Sequence, residues 1–180
     1  KARLIYEYRQ GYGYAIRRGL GEARGDLLII AEPDGSFDGR DVVKLLAYSD
    51  DFDMVFGSRT HVPLVSKGSD MTFYKRIGDV LLGKLVTALF LCAPLTDLGC
   101  TLRITTKYAW KRIEKNLTAS DNIFATEWVL WAAKVGIHFM EIPIHYKSRR
   151  GKSTATDTFK KQFIWGMRKF FLIWKIWIGA

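Results

Sequence analysis

Apolar positions along the chain fall into short continuous runs and longer periodic stretches, alternating in order. Residues 3–8 alternate in the manner of a half-buried strand. Gly11 and Gly13 then open a helix to about Ala23, closed by Gly25. Asp26–Ala31 holds an unbroken aliphatic run of strand length, as in a parallel strand covered on both faces. Glu32-Pro33-Asp34-Gly35 ends it, because proline removes a backbone donor and glycine permits a turn. A short helix over 40–48 and an apolar strand over 53–57 follow. Strand, helix and strand in that order imply a βαβ unit, hence an α/β domain with a mainly parallel sheet flanked by helices.

The pattern then lengthens. Residues 74–92 read as a long apolar helix ended by Pro94, with too many charges for a bilayer span. A loop and strand are expected over 97–106, and helices over 108–114 and 125–135. A strand over 137–146 carries Pro143, which favours an edge or a bulge. After a basic loop, 159–178 forms a last helix rich in Trp, Phe, Ile and Lys.

Composition and charge sharpen this picture. With 180 residues, 48% of them hydrophobic, the chain can fill one real core. Formal net charge is +10, and most of the excess lies between Ile144 and Lys175, where Asp157 is the one acid. Such a block suits phosphates or an acidic lipid surface. Nucleic acid is ranked low as a partner, because no recognition module is present. Cys92 and Cys100 have neither zinc-ligand spacing nor a disulfide framework. His61, His138 and His145 are scattered and read as structural or exposed. The start on Lys1, already within a strand-like segment, suggests an N-terminally truncated domain.

Chemistry is expected at the strand ends. In open α/β sheets, ligands collect beyond the carboxyl ends of the strands. Glu32 and Asp34 there can both face a divalent cation, which prefers hard oxygen ligands and leaves positions for phosphate oxygens. Gly11 and Gly13, before a helix, could bring amides near a phosphate, although a tight helix start explains them as well. Arg59 follows the second strand and could clamp a phosphate. Asp97 and Arg103 flank a glycine turn, and the bland reading is a loop stapled by its own ion pair. Glu127 lies on a helix, and Arg149-Arg150-Gly151-Lys152-Ser153 is a flexible cationic loop.

Singly these signals are weak, but their order is informative. GYGYAIRRGLGEARGDLLIIAEPDGSF, DFDMVFGSRT, DLGCTLR, IFATEW and EIPIHYKSRRGKS in succession resemble the family 2 glycosyltransferases, over roughly residues 3–153. Within that family the sequence is most similar to the polyprenyl-phosphate sugar synthases, the group of dolichyl-phosphate mannose synthase. The resemblance implies a GT-A fold and inverting transfer from a nucleotide sugar to dolichyl or undecaprenyl phosphate, dependent on Mg²⁺ or Mn²⁺. Glu32 and Asp34 match the Asp-x-Asp metal motif, with Glu in place of the first Asp. Arg59 matches the Gly-Ser-Arg arginine, and Arg76 falls at a basic position near the acceptor phosphate. Asp97, Gly99 and Arg103 match the segment bordering the sugar site. Arg149, Gly151 and Ser153 match a loop that closes over phosphates. The resemblance also places strands before Lys1 that contact the nucleoside.

A phosphate acceptor is already ionised near neutral pH, so the reaction would rest on positioning and charge stabilisation. In this reading Asp97, and with less force Glu127, orient sugar or acceptor. The chain divides into a partial transferase domain, 1–153, and an amphipathic membrane-interfacial helix, 154–180, whose aromatics and lysines suit an anionic lipid surface. That places the protein on the cytoplasmic face of a membrane, peripherally or anchored by segments outside the chain. Two rivals stand beside it. One is a family 2 transferase using a glycan or other hydroxyl acceptor, with Asp97 or Glu127 as general base. The other is a non-catalytic membrane-associated relative.

Overall fold

The computed structural model describes residues 2–151 and 158–179. Among these residues four strands, β1 (Leu27–Ile30), β2 (Met54–Ser58), β3 (Arg103–Thr106) and β4 (Phe139–Pro143), form one sheet in the order β1-β3-β2-β4. β2 and β4 run parallel, whereas β3 lies antiparallel between β1 and β2. The sheet is therefore mixed, and the expectation of a mainly parallel sheet is corrected. β1 and β2 do share one direction through the helix between them. The later insertion of β3 between them is a long-range choice that local periodicity does not encode.

The described helices flanking the sheet are α1 (Tyr12–Glu22), α2 (Arg40–Tyr48), α3 (Phe73–Phe90), α4 (Lys107–Ile113), α5 (Phe124–Lys134) and α6 (Phe159–Ile178). α3 starts at Thr72, whose hydroxyl accepts from the Lys75 amide, and stops at Leu91 in a left-handed conformation. Thr106 and Thr158 cap α4 and α6 in the same way. The main core lies between the sheet and α3, α4, α5 and α6, with Phe56, Trp110, Trp128, Leu130 and Ile173 at its centre. A smaller core on the other face packs α2 through Leu45 against Val55, Leu102, Ile104 and Ile142. β2, covered on both sides, is buried at every residue. Gly57 in it leaves room for the Ile144 side chain, which a Cβ there would displace.

Two sequence expectations about the N-terminal part are also corrected. No strand forms over 3–8, where Leu4, Tyr6 and Tyr8 stay exposed and Arg3 ties the segment to α1 through the carboxylate and carbonyl of Glu22. β1 is an edge strand and not a strand buried on both faces, since Leu27 and Ile29 remain partly open while Leu28 and Ile30 are buried. Its aliphatic residues on both faces conceal the alternation that would mark an edge. α6 lies across α3 and α5, burying Ile173 and Ile176, and Trp177 donates to the Leu89 carbonyl at 2.9 Å. Among the described residues no helix is long and apolar enough to cross a membrane.

Candidate active site

A cleft of about 620 Å³ opens beyond the carboxyl ends of β1 and β2. One wall is acidic. Glu32 and Asp34 follow β1 directly, and the turn is held by Asp34 itself, whose Oδ1 accepts from the Ser36 amide at 2.9 Å and its hydroxyl at 2.6 Å. Partial burial works against the charge on Asp34, but the Ser36 bonds and the Arg149 guanidinium outweigh it and hold the carboxyl below its ordinary range. Arg149 donates to Asp34 Oδ2 at 2.7 Å and lies 4.0 Å from Glu32 and 3.8 Å from Asp70. Tyr12, from the first turn of α1, lines the cleft with Glu32. Its phenol titrates above its ordinary range because it is buried and because Glu32 is negative.

The opposite wall is cationic. Arg59 is buried at the end of β2 and grips Asp97 with Nε at 2.7 Å and Nη2 at 2.8 Å, while its own amide donates to Asp97 at 3.0 Å. Desolvation opposes charge on both groups, but their mutual attraction prevails: Arg59 stays protonated and Asp97 is held well below the carboxylate range. A polar network sets this pair in place, with Glu141 on β4 accepting from the Thr96 amide at 2.7 Å and the Asp97 amide at 3.3 Å. Burial pushes the Glu141 carboxyl above its ordinary value. Lys75 from α3 and Lys169 from α6 complete the wall, and Lys169 pairs with buried Asp79 at 2.5 Å. Burial, reinforced by the charge of Arg59, lowers Lys75 to about 8.

The expected site residues divide accordingly. Glu32, Asp34, Arg59, Gly99 and Arg149 line the cleft. Asp97 lies behind it, fully buried, with both carboxylate oxygens taken by Arg59 and one also by the Gly99 amide, so it has no oxygen left for a sugar or a proton. Arg103 does not reach the cleft. It donates to the carbonyls of Cys100 and Ala125 and lies over the Trp128 ring, so the expected ion pair with Asp97 is replaced by one with Arg59. Glu127 also faces inward, accepting from the Thr118 amide and hydroxyl and from the Ala119 amide at 2.8–3.1 Å. The catalytic expectations for these three residues therefore give way to structural ones.

Gly11 and Gly13 follow the same logic. A Cβ at either would strike the carbonyl of Ser120 or Ala119, and the Gly13 amide already donates to Ser120 at 2.8 Å. They let α1 dock against the loop that Glu127 pins, and no phosphate is needed to explain them. Arg76 is not among the lining residues; its predecessor Lys75 is. Gly151 adopts φ 96° just beyond Arg150, which lines the cleft, and Ser153 lies outside the described residues. Tyr12, Lys75, Tyr146, Trp165 and Lys169 were missed by sequence reasoning. Only the phase of α3 and α6 against the sheet reveals the two lysines.

An α/β sheet with helices on both faces and an acid pair beyond the first apolar strand narrows the fold class, and comparison with solved structures decides it. Glucosyl-3-phosphoglycerate synthase of Mycobacterium tuberculosis, crystallised with Mn²⁺, UDP-glucose and phosphoglyceric acid, superposes with a TM-score of 0.63 over 96% of this chain and 56% of that one, at 11% identity. The fold is that of the GT-A glycosyltransferases. A second crystal structure, of a mycobacterial protein, gives 0.64 over 95% of the chain and 53% of its own, at 15% identity. Among curated proteins, the low-salt glycan biosynthesis hexosyltransferase Agl6 of Haloferax volcanii is 30% identical over 146 residues, 80% of this chain. An uncharacterized glycosyltransferase of Mycobacterium tuberculosis is 27% identical over 166 residues, 91% of this chain and 72% of its own. The chain spans 34% of the length of the Haloferax protein. No family model matches the chain.

The acidic wall fits a divalent cation in its chemistry. Glu32 and Asp34 offer hard oxygen ligands, and a guanidinium already sits against them, as a cation would. Among the described residues no third metal-ligating side chain joins them.

Proposed function

We propose that the protein transfers a sugar, with inversion, from a nucleotide sugar to a polyprenyl phosphate at a membrane surface. The observation that carries this reading is the continuity of the cleft with an apolar groove. Between α3 and α6 runs a groove of about 430 Å³ lined by Tyr74, Ile77, Leu81, Phe163, Met167 and Phe170. Lys75 and Trp165 line both the groove and the cleft. A ligand with a long apolar tail and an anionic head matches that sequence of surfaces. Phe73 and Phe171 extend the apolar surface outside the groove, and Lys160 and Lys161 add charge suited to an anionic leaflet.

In this reading Glu32 and Asp34 hold Mg²⁺ or Mn²⁺, which supplies charge neutralisation for the departing nucleoside diphosphate. Arg149 and Arg150 bring further positive charge to the diphosphate side. Arg59, fixed by Asp97, and Lys75 hold the acceptor phosphate against its repulsion from the donor. The phosphate oxygen is its own nucleophile, so the engagement of both Asp97 oxygens by Arg59 is consistent with the chemistry. A hydroxyl acceptor is the second reading, favoured by the phosphoglyceric acid bound in the structural neighbour.

Supplying labelled UDP- and GDP-hexoses with Mn²⁺ and either undecaprenyl phosphate or 3-phosphoglycerate separates the two. Label entering the organic phase only with undecaprenyl phosphate is the expected result. Label on 3-phosphoglycerate alone would overturn the lipid acceptor.

A further inference from the structure

The wall opposite the carboxylates contains a notch whose shape depends on a missing side chain. A Cβ built on Gly99 would lie 3.2 Å from Arg59 Nη2 and 3.2 Å from Lys169 Nζ, so both cations border one small space above the glycine. Lys75 lines the same cleft. Two of these cations are paired with buried carboxylates, Arg59 with Asp97 and Lys169 with Asp79. Lys169 spends one hydrogen bond on Asp79 Oδ1, so its remaining protons are free to point into the notch. Asp79 Oδ2 has no partner although it is buried, an arrangement that costs stability. Packing alone would be better served by an apolar residue at position 79.

We infer that Lys169, carried by the terminal helix and braced by Asp79, is an anion-binding residue of the notch above Gly99 and receives the phosphate monoester of the acceptor. This rests on the lipid-phosphate reading and deepens it. The notch adjoins the α3–α6 groove, because Asp79 lines the groove and Lys169 lines the cleft. It makes α6 part of the substrate site. Asp79 acts through Lys169 and is a positioning residue. Arg168, one residue earlier, fastens the same helix to the loop beside the cleft by pairing with Asp121 at 2.7 Å, which fixes the height at which Lys169 reaches in.

The test uses farnesyl phosphate, farnesol and inorganic phosphate as probes of the whole 180-residue chain, read by calorimetry and by fluorescence of the aromatic groove. The wild-type protein binds farnesyl phosphate at least tenfold more tightly than either farnesol or inorganic phosphate. Lys169→Gln lowers farnesyl phosphate affinity about tenfold, in line with loss of one charge-assisted hydrogen bond, and leaves farnesol within twofold. Lys169→Arg restores most of the loss. Gly99→Ala, which keeps every charge but fills the notch, weakens farnesyl phosphate to a similar degree. Asp79→Asn weakens it too, and combined with Lys169→Gln adds nothing further, as a shared pathway requires. Lys115→Gln, on the surface away from the cleft, is silent.

Failure of the two claims looks different. If the wild type does not distinguish farnesyl phosphate from farnesol, the lipid-phosphate reading falls and this inference falls with it. If it does distinguish them, but Lys169→Gln and Gly99→Ala bind farnesyl phosphate as the wild type does, the notch is refuted and the lipid acceptor stands. Binding of inorganic phosphate as tight as that of farnesyl phosphate would replace the lipid headgroup by a soluble phosphate ligand.

Discussion

Replacing Asp97 by Asn tests whether the acid of the DLGCTLR segment holds the fold of the site or performs its chemistry. In the native cleft Asp97 accepts three hydrogen bonds from Arg59 and one from the Gly99 amide, all between 2.7 and 3.0 Å, with no exposed surface of its own. Asparagine keeps one acceptor oxygen but turns an NH₂ group toward a guanidinium nitrogen, and it leaves the Arg59 charge buried without a counterion. Breaking one partner of a buried pair costs about 3–5 kcal/mol. For a chain of this length that corresponds to roughly 6–20 °C in Tm. Urea unfolding provides the assay, with the midpoint falling and the slope unchanged if only stability is affected. The pH dependence has a defined sign. Asp97 titrates below its unfolded value of about 3.9, so its contribution is complete above that pH and declines as pH falls toward the depressed native value. An Asp97→Asn variant with wild-type stability but no transfer activity would refute this reasoning and return Asp97 to the role of a chemical group.

Three further outcomes follow from the same geometry. Glu127→Gln lowers stability by about 2 kcal/mol, because bonds from the 118–119 loop to a carboxylate are charge-assisted; chemical denaturation measures it, and no change would mean that the loop needs no anchor. Arg149→Ala strengthens Mn²⁺ binding several-fold while weakening nucleotide binding, since the guanidinium both occupies the acidic wall and serves the diphosphate; titration followed by Mn²⁺ resonance shows the first effect, and parallel weakening of both ligands would contradict the placement. Affinity for a phosphate monoester rises as pH passes about 6, where the second proton leaves. It then falls as pH rises through about 8, where Lys75 loses its charge; a flat profile from about 7 to about 9.5 would remove Lys75 from the site.

Much of the helical framework was legible in the sequence because helix boundaries are set locally. Thr72, Thr106 and Thr158 cap helices, and Pro94 and the glycine-rich turns limit them. The acid pair was legible for the same reason: an aliphatic run followed at once by Glu-Pro-Asp marks a strand end. Pairing across the sheet was not, since nothing in residues 103–106 states that they enter antiparallel between β1 and β2. Asp97, Arg103 and Glu127 were assigned chemistry on the strength of residue type and resemblance. Burial gave them other work, and burial of a charged residue becomes visible only once its partners, 38 residues away for Asp97 and Arg59, are brought together. Lys75 and Lys169 illustrate the reverse error. The charges of the one helix read as too many for a bilayer span and those of the other as suited to an anionic lipid surface, and only packing of α6 on α3 brings the two lysines to the cleft.

In the proposed reading, one cleft would hold the nucleoside diphosphate beside Glu32 and Asp34 and a lipid phosphate on the facing cations. Phosphorus-31 relaxation of bound farnesyl phosphate measures this proximity directly when Mn²⁺ replaces Mg²⁺. Paramagnetic enhancement of the phosphate resonance in the wild-type protein, abolished by Asp34→Ala while farnesyl phosphate still binds, is the expected result. Equal relaxation in the wild-type and Asp34→Ala proteins would place the two sites apart and contradict the account.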